Sequence, residues 1–241
     1  MRAPVCRRLA GASSRFHGRR RLLGAAAFFL MGMGGRPTMA ATAEARLREA
    51  AGQGDLANLE AAITAGAALD GADGEGRTPL LLAVAGGHDA VARRLIDAGA
   101  DINAPAANHD TPWLLAGARG RTAMLEAMLA TGRVDYARRN RYGGNALIPA
   151  CERGHVETVR LLLERSRIDV DHVNNLGWTA LLEAVILADG GPRHVEIVRL
   201  LLAHGASVRI ADRDGVTALA HARMRGQTAV VPLLEAAEAA R

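Results

Sequence analysis

The chain of 241 residues is 49% hydrophobic but only 3% aromatic, so it can bury a core of small aliphatics, as one or two compact domains or as one elongated array. All 30 basic residues are arginine; eight fall within the first 40 residues, which hold no acid, and the other 22 meet 25 Asp and Glu, leaving residues 41–241 at a formal charge of −3. That balance excludes the clustered cationic face that a phosphate backbone requires, and no nucleic-acid partner is expected.

In chain order the first element is a leader over residues 1–42. A basic stretch ends in Arg19-Arg20-Arg21, an apolar run follows from Leu22 to Met33, and Pro37 precedes small residues at Ala40 and Ala43. This is the three-part layout of a signal peptide, with cleavage expected after Ala40 or Ala43. The order Arg19-Arg20-Arg21-Leu22-Leu23 resembles a twin-arginine export signal. The apolar run of 12 residues, Leu22 to Met33, is short of the roughly 20 that a spanning helix needs. A periplasmic or otherwise exported protein is the expectation; the alternatives are an uncleaved N-terminal anchor, or a cytoplasmic product started at Met39. Cys6 lies in the leader, so Cys151 stands alone in the rest of the chain and no internal disulfide can form there. Its apolar helical register makes it a core thiol.

From residue 43 onward the chain repeats itself. Thr78, Thr111, Asn145, Thr179 and Thr217 each open a helical pattern, at spacings of 33, 34, 34 and 38 residues. Thr before Pro caps a helix whose first turn tolerates proline. Gly76, Gly143, Gly177 and Gly215 sit where a tight turn demands a left-handed backbone. Leu and Ala at helical spacing must face a neighbouring repeat, since a single unit cannot bury its own face. The strings Gly76-Arg77-Thr78-Pro79-Leu80, Asp110-Thr111-Pro112-Trp113 and Gly177-Trp178-Thr179-Ala180-Leu181 recur. So do Gly87-His88 and Gly154-His155 ahead of second helices, and Gly99-Ala100-Asp101-Ile102-Asn103 at a unit's end. Together these resemble the ankyrin-repeat family over residues 43–241.

The resemblance implies an all-α solenoid of about six helix-turn-helix repeats with short β-turn tips. Its units are an N-terminal cap at 43–73, repeats at 74–106, 107–139, 140–173 and 174–212, and a C-terminal cap at 213–241. Four departures are expected to perturb it. His109 replaces the turn glycine, predicting a remodelled turn. Pro149 and Pro232 fall inside helical patterns, predicting kinks. Residues 189–193 make repeat five long, predicting a loop insertion between its helices.

No phosphate loop, nucleophile elbow or zinc-helix string occurs, and the repeats consume the chain, so no catalytic residue, metal or cofactor is expected. His88, His155 and His194 recur one per repeat, too far apart to converge on one metal, and read as turn braces. The resemblance implies a non-catalytic, monomeric protein-binding module that grips its partner in the concave groove between turn tips and first helices. On that reading the partner-binding residues are Arg119, Arg141, Tyr142, Arg153, Leu176 and Trp178. Tyr142 and Trp178 are expected at equivalent exposed tips of adjacent repeats, where aromatic anchors carry most binding energy. Trp113 is expected in the core, as are Leu161 and Leu200. The alternative function is a small-molecule or cofactor-binding accessory of an exported enzyme.

Overall fold

A computed structural model describes residues 39–240. Most of the leader, residues 1–38, lies outside the described residues. The described part is built of six helix hairpins: α1 (Met39–Gln53) with α2 (Leu56–Thr64), α3 (Pro79–Gly86) with α4 (Asp89–Ala98), α5 (Pro112–Ala118) with α6 (Thr122–Ala130), α7 (Leu147–Glu152) with α8 (Val156–Arg165), α9 (Ala180–Ile186) with α10 (Pro192–Ala203), and α11 (Ala218–Met224) with α12 (Val231–Ala239). First helices stack on first helices and second helices on second helices, each hairpin touching the one before and the one after. The described residues contain no strand, only an isolated bridge between Ala211 and Thr217. Helix α1 starts four residues before the assigned domain boundary at residue 43, inside the segment read as leader.

The caps explain why each unit starts where it does. The hydroxyls of Thr78, Thr111, Thr179 and Thr217 accept the N–H groups of Leu81, Leu114, Leu182 and Ala220 at 3.2, 3.1, 3.2 and 3.3 Å. Each satisfies one of the orphan donors of a helix start. Thr78, Thr111 and Thr179 are buried, so an alanine at any of them would leave a buried donor without a partner.

The departures resolve in four ways that the sequence expectation missed. His109 takes φ 65°, beside 74° at Gly76 and 87° at Gly177. Its tip keeps the pattern of its neighbours, with His109 N–H to Ala106 O at 2.9 Å and Ala106 N–H to Asp110 O at 2.9 Å. The turn is therefore not remodelled; the histidine backbone accepts left-handed geometry instead.

Pro149 falls in the first turn of its helix, where no intrahelical hydrogen bond is lost. In the other repeats the equivalent N–H groups of Leu82, Leu115, Glu183 and His221 close the first intrahelical bond onto the anchor threonine carbonyl, at 2.9 to 3.0 Å. Proline lacks that donor, so α7 begins one residue late at Leu147 and Asn145 Oδ1 accepts from Leu147 and Ile148 at 3.0 and 3.2 Å. Pro232 likewise falls in the first turn of α12, where proline is tolerated. The insertion of repeat five is only partly a loop: residues 187–191 connect the helices, while Pro192 and Arg193 extend α10 backwards, so that His194 lies inside a helix of 12 residues.

One core runs through all six hairpins, from Leu47 and Leu59 through Leu80, Leu95, Leu125, Leu147, Leu162 and Leu181 to Leu234. Leu161 and Leu200 are buried at 6% and 7% exposure, as the helix phase requires. Trp113 is also buried and meets Tyr136 edge-to-face at a centroid distance of 6.0 Å. Gly117 in α5 sits at a close approach between repeats: a Cβ there would stand 2.7 Å from the Ala146 carbonyl oxygen.

Candidate functional site

The recurring histidines are braces between units. His88 Nε2–H donates to the Gly52 carbonyl at 3.0 Å, and His194 Nε2–H to the Glu152 carbonyl at 3.1 Å. His155 bonds in the same sense to the Ala118 backbone, and burial, the largest influence on it, holds its pKa below the ordinary imidazole value. In the C-terminal hairpin Gln227 takes over, donating to the carbonyls of Val185 and Ala188 at 2.9 and 3.2 Å. Each side chain thus donates to carbonyls at the end of the preceding first helix, where intrahelical donors run out. Among the described residues no group of three or more His, Cys, Asp or Glu is placed to hold a metal ion. Cys151 is fully buried, and burial pushes its thiol well up, away from the reactive thiolate.

Five of the six sequence-assigned binding residues line one groove. Arg119, Arg141, Tyr142, Arg153 and Leu176 surround a concavity of about 500 Å³ between the tips and first helices of repeats three to five. Trp178 is the exception. It is half-buried, packs against the core and does not line the groove. The tips show why: Asn140 receives the Gly143 N–H and Asn174 the Gly177 N–H, so Tyr142 corresponds to Leu176, and Trp178 corresponds to Gly144, the residue just before the anchor. The expected pairing of Tyr142 with Trp178 is off by two positions.

First-helix ends supply the other wall. Arg119, Arg153 and Leu187 are the C-cap residues of α5, α7 and α9, one per repeat. A guanidinium at a helix C-terminus meets the negative end of the macrodipole, and Arg153 Nη1 donates to the Ala118 carbonyl at 2.6 Å. Arg141 lies 4.7 Å from the Tyr142 ring centroid, a cation–π contact at the tip. Tyr142, Leu176 and Leu187 are 51%, 47% and 49% exposed.

Two residues of this site escape the sequence reading. Glu183 in α9 is 5% exposed, with Oε1 accepting from Asn174 Nδ2 at 2.9 Å. Burial, reinforced by the Glu152 carboxylate, pushes its pKa to about 7 against the pull of the Asn174 hydrogen bond. Its signal is a carboxylate at the register of Leu82 and Leu115 in earlier repeats. Leu187 stands eight residues after its anchor, as Arg119 and Arg153 do, but an apolar residue at the end of a first helix reads as core rather than as groove wall.

The groove carries both signs of charge, with Arg119, Arg141 and Arg153 beside Asp110, Glu152 and Glu183. Arg77, Arg94, Arg138, Arg160 and Arg223 each pair with a carboxylate. Arg119, Arg141, Arg153 and Arg193 are among the many described arginines that form no such pair. Arg153 also lines an adjoining recess of about 360 Å³ with Arg193, His194 and Asp189, so the two concavities meet at its side chain.

The stacked hairpins, capped tips and inter-unit braces define a helical repeat solenoid whose recognition surface is assembled from successive units. A family model for ankyrin repeats matches three times, over residues 47–140, 115–211 and 168–240. The putative ankyrin repeat protein YahD of Escherichia coli (strain K12) is 40% identical over 190 residues, covering 79% of this chain and 94% of the relative. Two solved structures are similar: the ankyrin repeat protein EF0377, with TM-score 0.77 and 44% identity, and an ankyrin repeat domain (ABAYE2397) from Acinetobacter baumannii, with TM-score 0.76 and 46% identity. Each match covers 80% of this chain and 97% of the other. The chain belongs to the ankyrin-repeat family, whose repeats are generic protein-interaction modules.

Proposed function

We propose that this protein is a non-catalytic adaptor or accessory that binds a partner protein in the groove of repeats three to five, and that it does so after export to the periplasm. The carrying observation is the gathering of Tyr142, Leu176 and Leu187 in one concavity. They are three of the six large hydrophobic residues exposed among the described residues, and contiguous exposed apolar side chains mark interaction sites. The test is affinity capture from a periplasmic extract with the wild-type chain and with Tyr142→Ala/Leu187→Ala. A stoichiometric protein retained only by the wild type supports the reading. Equal retention by both dismisses the groove, and a retained metabolite in place of a protein favours a small-molecule accessory.

Export rests on the leader, and the burial of residues at the start of the array supports the earlier of the two cleavage points. Ala43 is in the core at 7% exposure and Leu47 at 0%. Cleavage after Ala40 keeps both, whereas cleavage after Ala43 removes one of them. Mass spectrometry of the native protein is expected to show a start at Ala41; a chain beginning at Met1 or Met39 contradicts export with processing.

A further inference from the structure

We propose, resting on the groove reading above, that Glu183 and Asn174 form a proton-operated latch on the tip of repeat five. With Glu183 neutral the latch holds that tip and presents Leu176 to the partner; with Glu183 ionised it releases the tip and the groove loses its grip.

Asn174 ties the tip to the helix behind it. Its Oδ1 accepts the N–H groups of Leu176 and Trp178 at 2.9 and 3.0 Å, and its Nδ2 donates to Glu183 Oε1 at 2.9 Å. Both side chains are buried. The link reaches the next tip, because Asn175 N–H donates to the Tyr142 carbonyl at 2.8 Å. In repeat four Asn140 Oδ1 likewise accepts from Tyr142 and Gly144, each at 2.9 Å, but Pro149 stands at the register of Glu183 and its ring offers no acceptor. In the last hairpin the two positions are taken by Asp212 and His221, joined at 2.7 Å. The fold therefore closes a tip without such a bond, and Glu183 adds one.

The surroundings favour the neutral acid. One bond from a neutral amide does not satisfy a buried carboxylate, and no other hydrogen bond reaches the Glu183 carboxyl among the described residues. Helix α9 packs on α7, α10 and α11. From α7 come the Glu152 carboxylate, which repels a second charge, and the buried Cys151 thiol. From α11 comes His221, engaged by Asp212, while Arg223 pairs with Glu235 and Arg225 is exposed. On α10, Arg193 and His194 line the adjoining recess, Glu196 pairs with Arg160 and Arg199 is exposed. Asp110, Arg119, Arg141 and Arg153 line the same concavity as Glu183, and Arg153 is turned onto the Ala118 carbonyl. Burial and Glu152 outweigh the Asn174 bond.

An ionised Glu183 reaches water by turning out into the concavity that it already lines. That movement breaks the Asn174 bond and sets a charge among Tyr142, Leu176 and Leu187, where a partner's apolar side chain would have to displace its water. In the open form the carboxyl regains its ordinary value of 4.5, against about 7 in the closed form. The closed-to-open ratio therefore falls about tenfold per pH unit between those values and is level above them.

Amide hydrogen exchange of the full chain, followed by NMR and corrected for intrinsic rates, tests the latch. From about pH 5.5 to about pH 8, protection of the Leu176 and Trp178 amides is expected to fall at least about tenfold more than that of Gly144, which Asn140 holds without a latch. Glu183→Gln, which keeps an acceptor for Asn174 but cannot ionise, is expected to abolish the extra fall. Glu152→Gln, which removes the neighbouring charge, is expected to shrink it. In the capture described above, the protein retained at about pH 5.5 is expected to elute from the wild type at about pH 8 and to stay on Glu183→Gln. Melting curves at both pH values establish that the variants are folded.

Equal loss of protection at Leu176, Trp178 and Gly144, or an extra loss that persists in Glu183→Gln, overturns the latch. A tip that responds as expected while the captured protein stays on both columns overturns its control of binding. If Tyr142→Ala/Leu187→Ala retains that protein as the wild type does, the groove reading falls and the control of binding with it, whereas the latch itself is decided by exchange alone.

Discussion

Glu183 is where a single side chain sets a measurable property of the whole array. Its pKa of about 7 lies above the ordinary carboxyl value of 4.5, so between those values the folded chain holds a proton that the unfolded chain has released. The stabilisation linked to this group is fully present below about pH 4.5 and is lost as pH rises through about 7. Glu183→Gln removes the ionisation and keeps an acceptor for Asn174. Relative to the wild type, the variant is expected to gain stability between about pH 5 and about pH 8, as read from urea midpoints at the two values. His155 titrates with the opposite sign, because its folded-state pKa is depressed, but it is common to both proteins and cancels in the difference. An unchanged difference across that range would show that Glu183 ionises normally. The residue is half legible in the sequence: a carboxylate at an apolar register is visible, but its burial depends on Asn174 and Glu152 arriving from the tip and from the neighbouring helix. Trp178 fails for a related reason. Exposure at a tip depends on which turn position a residue holds: Tyr142 and Leu176 each stand three residues before their anchors, whereas Trp178 stands one before, where the chain turns into the core.

Helices in this chain start and stop for reasons that local chemistry states well and packing modifies. Threonine caps, the N1 prolines and the Leu/Ala register are readable at once, because each acts within a few residues. Pro149 and Pro232, expected inside helices, both fall in first turns, because the actual first residue of a helix depends on which N–H groups the preceding residues can hold. The glycines of α1 and α5 make the contrast testable. Gly52 lies in α1 with nothing within 4 Å of the place a methyl would occupy, whereas a methyl on Gly117 would meet the Ala146 carbonyl oxygen and Cβ at 2.7 and 2.8 Å. Gly52→Ala is expected to stabilise by roughly 0.5–1 kcal/mol, through helix propensity and the entropy of the unfolded chain. For Gly117→Ala the same gain is outweighed by overpacking of about 1–3 kcal/mol, since backbone rather than a flexible side chain must move. Thermal and urea melts of the two variants check this; a stabilised Gly117→Ala would mean that α5 and α7 separate freely. Nothing in the sequence singles out Gly117, since the distance between α5 and α7 is a property of neither helix alone.

At the scale of the molecule the period of 33 to 38 residues announces a solenoid, and a solenoid's stability is a sum over units and the interfaces between neighbours. What the period cannot announce is the groove, because its members come from three repeats and meet only after stacking. The same architecture separates the groove from the ends. Leu125 in α6 and Leu234 in α12 are both fully buried, so replacing either by alanine removes a comparable contact, on the order of 2–5 kcal/mol. The consequences differ with position. Helix α12 packs on α11 and α10, at the end of the stack, whereas α6 packs on α5 and on both α4 and α8. The terminal hairpin can open while the rest stays folded; a central hairpin cannot open without breaking two interfaces. Leu234→Ala is therefore expected to speed amide hydrogen exchange in α11 and α12 alone, and Leu125→Ala to lower protection and the urea midpoint across the array. Binding in the groove should follow the same division, since repeats three to five lie inside the stack: affinity for the captured partner is expected to be unchanged in Leu234→Ala and reduced in Leu125→Ala as the folded population falls. Uniform loss of protection in Leu234→Ala would show that the hairpins unfold as one unit, and would remove the insulation of the groove from its caps.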